Sequence, residues 1–400
     1  MKTFVQYGAG NIGRGFIGQL FSDAGYFVRF VDVNADVVEA LNAKKRYPLN
    51  IVSNAGSNQV WVENVSAING LDTDEVAKAI ANCDLMATAV GVSVMPRIVP
   101  NIVAGIKKRM ISDRENPLNI IICENLMDAD KLLYGLINEQ LNPTELEYFN
   151  EKVGLVTASV GRMVPVMAES SRRSDPLRLC VESYCELPVD KAAFKGEIPN
   201  VSHLCPFEPF EYYQKRKMFV HNMGHTLTAY LGHLLQYEYI WQAIDNPSIK
   251  TIVERAMSES AQALSKQFNV PLQDVKEHKN DLILRFGNAA LGDTVRRVGR
   301  DTKRKLSPED RFAGAIKFCE ENSVVPAYIR IGIASALFFD FPDGNGTSEV
   351  LKILNQRGPD AVIKEICDIE NGEEHIDVYY RQLKKDKKLE KLIGIAESLS

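Results

Sequence analysis

The sequence has no C-x-x-C pair, and its seven cysteines (Cys83, Cys123, Cys180, Cys185, Cys205, Cys319, Cys367) are odd in number. That argues against a disulfide frame or a structural zinc site and leads us to expect reduced thiols in a soluble, cytoplasmic protein. No apolar run approaches the length of a membrane span. The opening MKTFVQYGAGNIG reaches glycines after seven residues, too soon for the apolar region of a secretory signal. Internal repeats and low-complexity tracts are also missing. Neither sign of charge dominates: the net charge is -5, and basic residues are scattered apart from one cluster, so neither nucleic acid nor a membrane is an expected partner. What is present is ordinary globular material, 45% apolar and 25% charged. A chain of 400 residues exceeds what one core usually fills, so two domains are expected.

The first half alternates strand and helix. Residues 3–7 (TFVQY) are β-prone and run into Gly8-Ala9-Gly10-Asn11-Ile12-Gly13. A helical face follows, formed by Ile12, Phe16, Ile17, Leu20 and Phe21. Strand, G-x-G-x-x-G, helix is a nucleotide-binding arrangement. Gly8 allows the tight turn, Gly10 lets a pyrophosphate approach the backbone, and Gly13 lets the helix sit close to the strand. A second strand, Tyr26–Val33, carries Asp32 near its end. An acid there suits the ribose hydroxyls of NAD and repels the 2′-phosphate of NADP, so NAD is the expected cofactor. The plainer reading of Asp32 is an N-cap for a helix over Ala35–Leu41. Two β-like runs within residues 46–68 suggest an inserted hairpin. Further strands are expected at Asp84–Gly91, Leu118–Cys123, Val153–Val160 and Leu177–Glu182, with helices at Met95–Lys107 and Leu126–Leu141. Val90 and Gly91 lie where such strands pass the cofactor, and Asn125 lies at a strand's carboxyl end, where it could serve the reaction or cap the next helix. The pattern implies a doubly wound, Rossmann-type α/β domain over 1–200.

Beyond about residue 208 helices dominate: Phe210–Tyr237, Thr251–Phe268, Leu272–Phe286, Glu309–Glu321, Pro326–Phe339, Ser348–Asn355, Pro359–Cys367 and Asp377–Ser398. A mostly helical substrate and catalytic domain is expected over 201–400, with a hinge near Gly196–Pro206 and a cleft between the domains. Within the first of these helices, KMFVHNMGH places Lys217, Asn222 and His225 in one sector, at zero, roughly 140° and roughly 80° on an α-helical wheel. A solvated face is the bland explanation. His221 and His225 are spaced to share a metal, but no third ligand is evident, so no metal site is expected.

K-x-x-x-x-N-x-x-H followed by TLTAYLG resembles the signature of the polyol-specific long-chain dehydrogenases, the mannitol dehydrogenase family. YGAGNIGRGFIG (Tyr7–Gly18), CEN (Cys123–Asn125), VDKAAFKGEIPN (Val189–Asn200) and RVGRDTKRKLSPEDR (Arg297–Arg311) resemble that family in order, along the whole chain, and most nearly its sugar-phosphate branch. The resemblance implies a metal-independent, NAD-dependent oxidoreductase interconverting mannitol 1-phosphate and fructose 6-phosphate. It makes Lys217 the general base, a role that requires an amine brought toward neutrality by burial and neighbouring cations. It makes Asn125 and Asn222 amide donors to the reacting oxygen, and His225 the residue that orients a neighbouring hydroxyl. Arg297 and Lys305 match substrate-contacting positions. Arg300 and Arg304 are candidates for a phosphate clamp, because guanidinium forks fit phosphate oxygens. The alternative for the cluster Arg296, Arg297, Arg300, Lys303, Arg304, Lys305 and Arg311 is a solvated basic loop. Two departures stand out: Gly161 precedes Arg162 where the family has aspartate, and His221 replaces an apolar residue. Within the family, a mannitol 2-dehydrogenase or a tagaturonate or fructuronate reductase is the other reading. Outside it, the alternative is a non-catalytic NAD-binding sensor. The expected partner is a small polyol or sugar phosphate, and a monomer and a homodimer are equally compatible with the pattern.

Overall fold

The computed structural model describes residues 1–112, 114–165, 175–341, 346–369 and 373–399. The chain divides into two compact units, Met1–Glu211 and Tyr212–Ser400.

The first unit is built on a six-stranded parallel sheet. Its strands are β1 (Thr3–Tyr7), β2 (Phe27–Asp32), β5 (Val65–Asn69), β6 (Leu85–Thr88), β7 (Leu118–Ile122) and β8 (Val153–Thr157). They lie in the order β5-β2-β1-β6-β7-β8. With β3 and β4 set aside, this is the doubly wound order in which the chain reverses direction beside β1, and such sheets bind ligands beyond their carboxyl ends at that reversal. Covered on both faces, the central strands read as near-continuous apolar runs: all five residues of β7, LNIII, are buried, and its one polar side chain, Asn119, bonds the Lys195 backbone.

The inserted hairpin consists of β3 (Tyr47–Ser53) and β4 (Gly56–Val62), paired antiparallel. The expected run into residue 68 is broken. Asn64 takes φ 55°, and the chain turns out of the hairpin so that β5 joins β2 in parallel, Asp32 opposite Asn69. Apolar, β-prone residues stand on both sides of the break, Val60 and Val62 before it and Val65 and Ala67 after it, which is why it reads as one strand. The short β9 (Leu179–Val181) adds to the hairpin beside β3. Next, β10 (Leu187–Asp190) pairs in parallel with β11 (Leu204–Phe207). The turn-rich segment read as a hinge therefore lies within the first unit, and the division falls at Glu211–Tyr212.

The second unit is helical. The segment Phe210–Tyr237, expected as one α-helix, is α over Glu211–Lys215, π over Arg216–Asn222 and α again over Met223–Leu234. The carboxyl-terminal stretch Asp377–Ser398 is two helices, Glu373–Lys385 and Leu389–Leu399. Between them the Asp386 carboxylate accepts the Lys388 amide at 3.3 Å, a local side-chain bond that competes with helix continuation and leaves the apolar period undisturbed. No helix among the described residues is long and apolar enough to cross a membrane.

Candidate functional site

In the first unit the glycine loop is shaped by close contacts at two of its glycines. Gly8 has φ 94°, and a Cβ there would lie 2.4 Å from the Ala89 carbonyl oxygen. A Cβ on Gly13 would lie 1.9 Å from the Gly8 oxygen, so only a bare backbone brings the helix this near the strand end. Gly10 differs, because nothing stands within 4 Å of its Cβ position. The loop is open where a pyrophosphate must come close. The helix runs from Asn11 through Ile12, with Arg14 N donating to Gly10 O at 3.0 Å. The amides of Asn11, Ile12 and Gly13, in the first turn, are the donors that a helix N-terminus leaves without an intrahelical acceptor, suited to an anion.

From Gly13 to Gly18 this helix is π. Buried polar groups brace it. The Arg14 Nε donates to Ala9 O at 2.6 Å, the Tyr47 hydroxyl to Arg14 O at 2.6 Å, and Arg162 Nη1 to Gly15 O at 3.1 Å. Arg162, next to the Gly161 departure, is thereby a structural residue of this unit. A Cβ on Gly161 would meet Tyr184 Cε1 at 3.3 Å. The aspartate of the family pattern would need Tyr184 to give way.

Asp32 is not the cap of the next helix. Asn34 caps Ala35–Lys44 by accepting Val37 N at 3.2 Å. The Asp32 carboxylate accepts Ala9 N through Oδ2 (2.7 Å) and Asn34 N through Oδ1 (2.9 Å). It joins the glycine loop to the end of β2, and each oxygen retains a lone pair for a ribose hydroxyl. Val33 and Leu71, at the ends of β2 and β5, leave 66% and 74% of their surface in solvent. Such apolar side chains suit the face of an adenine. Across the sheet, the buried Glu124 carboxylate accepts Val90 N and Gly91 N, both at 2.8 Å. Val90 and Gly91 are thus held by a residue that the sequence reading passed over in favour of its neighbour. Asn125 itself is exposed just beyond β7.

In the second unit Lys217 and Asn222 fall within one π-helical segment. An α-helix would leave residues five apart roughly 140° from each other around the axis. The i→i+5 bonding of a π turn brings them to one side, and such turns concentrate at functional sites. The Asn222 amide is steadied by Met218 Sδ at 3.7 Å. One α-helical turn on, His225 stacks on Phe286 with ring centroids 4.9 Å apart and an interplanar angle of 11°. Its Nε2 lies 3.2 Å from Asp293 Oδ2. Asp293 Oδ1 accepts Arg297 Nε at 2.6 Å and Nη2 as well. Thr294 caps the short helix Val295–Gly299 and sets Asp293 and Arg297 one turn apart. Burial opposes the Asp293 charge, yet His225 and Arg297 together outweigh it and hold the carboxyl below its usual range. His221 is buried beside this group, 5.9 Å from the Phe286 ring and 6.3 Å from that of His225. Burial, and then the charges of Arg285, His225, His278 and Lys217, keep its pKa well below the ordinary imidazole value.

The basic cluster is largely engaged within the fold. Arg304 pairs with Asp301 and with Asp310 (2.8 Å). Arg311 binds Asp310 Oδ1 at 2.7 Å and reaches Thr226 Oγ1 at 3.0 Å, beside His225 in sequence. Lys303 pairs with Glu349 at 2.6 Å, and Arg296 lies 5.4 Å over the Phe341 ring. The buried Lys305 Nζ donates to the Val298 and Arg300 carbonyls, closing the turn in which Asp301 takes φ 64°. Burial, then Arg311 and Arg304, push the Lys305 pKa down to about 6, and a neutral amine still has the two hydrogens this turn needs. Arg300 is exposed, and Arg297 is 46% exposed. A phosphate clamp by Arg304 would require it to leave two carboxylates. The sequence signal for Asp293 was an acid four residues ahead of an arginine, a spacing that also marks ordinary helix surface pairs. Among the described residues no cluster of His, Cys, Asp or Glu is grouped to hold a metal ion.

A glycine-loop sheet in one unit and a lysine, amide, histidine and arginine set in the other define a dehydrogenase architecture. The chain belongs to the mannitol dehydrogenase family: residues 2–203 match its Rossmann domain and residues 210–393 its C-terminal domain. It is 35% identical, over 97% of its length and 98% of the relative's, to mannitol-1-phosphate 5-dehydrogenase of Thermoanaerobacter pseudethanolicus. Among solved structures it has the fold of Pseudomonas fluorescens mannitol 2-dehydrogenase, described as a ternary complex with NAD and D-mannitol. That match has a TM-score of 0.74 at 14% identity, covering 98% of this chain and 94% of that one. A substrate-free D-sorbitol dehydrogenase matches with a TM-score of 0.76 at 14% identity, covering 99% and 94%.

Proposed function

We propose that this protein is an NAD-dependent oxidoreductase that interconverts mannitol 1-phosphate and fructose 6-phosphate. The observation that carries the reading is the π turn that brings Lys217 and Asn222 to one side, one turn from His225 and its link through Asp293 to Arg297. The name of the 35%-identical relative supports the choice of substrate. The open backbone at Gly10 and the remaining acceptor capacity of Asp32 fit a dinucleotide's pyrophosphate and ribose. Bound there, NAD supplies the acceptor for the carbon-bound hydrogen as hydride. Lys217 removes the proton of the reacting hydroxyl, and Asn222 donates an amide hydrogen as charge develops on the oxygen. His225 and Arg297 hold neighbouring oxygens of the substrate. Asn125, on the other unit, is assigned its donor role on the family resemblance alone. Arg300 is the cation that meets the phosphate, since Arg304 and Lys305 are engaged by carboxylates and carbonyls.

The test is NADH consumption with fructose 6-phosphate, fructose, tagaturonate and fructuronate side by side. Fructose 6-phosphate is expected to give the highest kcat/KM. Preference for either uronate transfers the arginines to a carboxylate and overturns the phosphate reading. Lys217→Ala is expected to keep NADH affinity and lose turnover, whereas wild-type protein that binds NADH and reduces none of the four ketoses is a sensor.

A further inference from the structure

Asp293 lies outside every expectation drawn from the motifs, yet its two oxygens engage two different members of the site. Its side chain is 9% exposed. Oδ2 faces His225 Nε2 at 3.2 Å, and Oδ1 takes the Nε and Nη2 edge of Arg297. Its main chain is anchored separately, its carbonyl accepting Ile240 N at 2.9 Å. Each contact fixes a hydrogen. A nitrogen facing an ionised carboxylate carries a proton, so neutral His225 holds its hydrogen on Nε2 and its lone pair on Nδ1. Phe286, stacked flat on the ring, resists rotation away from that pose. Arg297 has five N–H groups in a fixed fork. With the Nε/Nη2 edge on Asp293, its outer edge, Nη1 and the second Nη2 hydrogen, faces away from the carboxylate on a half-exposed side chain.

We propose that Asp293 is a positioning residue that sets the hydrogen-bond polarity of substrate recognition, an acceptor at His225 Nδ1 beside a donor pair at Arg297. The proposal rests on the oxidoreductase reading above and deepens it. One hydroxyl of the bound polyol or ketose must donate, to His225, while a neighbouring oxygen accepts from Arg297. A substrate in which the first hydroxyl is missing or methylated loses a bond that the site cannot replace with its own hydrogen, because Asp293 holds that hydrogen on the far nitrogen.

The experiment has two arms. Nitrogen NMR of protein labelled at histidine, with His225→Gln to assign the signal, reads the tautomer without any substrate. Wild-type protein is expected to show Nε2–H at His225. In Asp293→Asn the new amide must turn its oxygen to Arg297, which can only donate, and its NH2 to His225, so the hydrogen is expected to move to Nδ1. Nδ1–H in the wild type, or the same tautomer in both proteins, overturns the proposal. The wild-type spectrum alone decides this if the variant folds poorly. In the second arm, kcat/KM for the ketose is expected to fall about ten- to a hundredfold in Asp293→Asn, the range for residues that orient a functional histidine, and less than about twofold when His225 is already alanine. An equal loss in both backgrounds marks a brace for the short helix and overturns the positioning role. If none of the four ketoses is reduced while the tautomers come out as stated, the oxidoreductase reading fails and the Asp293 assignment stands.

Discussion

Alanine at Gly10 and alanine at Gly13 are expected to fail in opposite ways. At Gly13 the added Cβ would sit 1.9 Å from the Gly8 oxygen. That oxygen must retreat by about 1.1 Å to reach even the 3.0 Å below which such contacts are essentially never found. It is not at liberty to do so, because Gly8 N is bonded to Val31 O at 2.8 Å and Gly8 O receives Gln6 Nε2 at 3.3 Å. Overpacking of this kind costs about 1–3 kcal/mol. At about 2–4 °C per kcal/mol for a unit of this size, the first unit's unfolding midpoint should fall by roughly 2–12 °C. At Gly10 no atom lies within 4 Å of the new methyl, and the backbone is not among the positive-φ positions. The midpoint should therefore hold or rise slightly, since alanine restricts the unfolded chain by about 0.4–1 kcal/mol. The methyl does, however, occupy the space through which a pyrophosphate reaches the backbone. NADH affinity in Gly10→Ala should drop at least tenfold, about 1.4 kcal/mol. Thermal unfolding followed by near-UV circular dichroism, with NADH fluorescence titrations on the same samples, reads both quantities. A Gly10→Ala protein with unchanged NADH affinity would refute the placement of the cofactor over that residue. A Gly13→Ala protein with an unchanged midpoint would refute the close packing of strand and helix.

Asp32→Ala should weaken NADH binding and raise the NADPH to NADH affinity ratio, because the carboxylate that repels a 2′-phosphate is gone; competitive titration of the two cofactors checks it. Lys305→Met should leave the buried Val298 carbonyl unpaired at about 1–3 kcal/mol, with a smaller loss at the part-buried Arg300 carbonyl, and lower the second unit's midpoint by several degrees. A raised KM with unchanged midpoint would instead make Lys305 a direct substrate contact. His221 and His278 are held neutral, His221 by burial first and then by neighbours led by Arg285, His278 by burial and then Arg216 and Arg285. Their folded pKa values lie below the unfolded value of about 6.5, so their contribution to stability is complete above that pH and is lost as pH falls from there toward the folded values. Urea midpoints at pH 7.5 and 5.5 should fall less in His221→Leu than in the wild type.

The parts of this structure that were legible in the sequence share one physical property: local pattern determines them. A strand buried on both faces is apolar at nearly every position, and LNIII, with Asn119 its one polar residue, reads as β7 for that reason. Gly8, Gly10 and Gly13 are spaced by the turn they make. What local pattern does not determine was misread. The break between β4 and β5 hangs on the left-handed Asn64, with β-prone residues on both sides of a two-residue interruption. The basic cluster announces its charges, whereas some of the groups that engage them, the Glu349 carboxylate for Lys303 and the Thr226 hydroxyl for Arg311, stand far off in the chain. No reading of RVGRDTKRKLSPEDR by itself separates a phosphate clamp from a self-paired turn.

The π turn is the most consequential of these. An α-helical wheel places Lys217 and Asn222 in a loose sector, and the bland reading of a solvated face survives it. Widening the helix over Arg216–Asn222 costs regular backbone bonding, and the ends of the segment return to α on both sides. A similar π segment sits over Gly13–Gly18, directly behind the glycine loop of the other unit, where Arg14, Tyr47 and Arg162 hold it in place with side-chain bonds. In both places the irregular turn lies beside residues to which the proposed reaction gives a role, and the flanking helix is regular. The spacing of five between lysine and asparagine is therefore best understood as a constraint on this widened turn. On an α-helix the same two residues would stand roughly 140° apart, away from the single oxygen that the proposed reaction has them share.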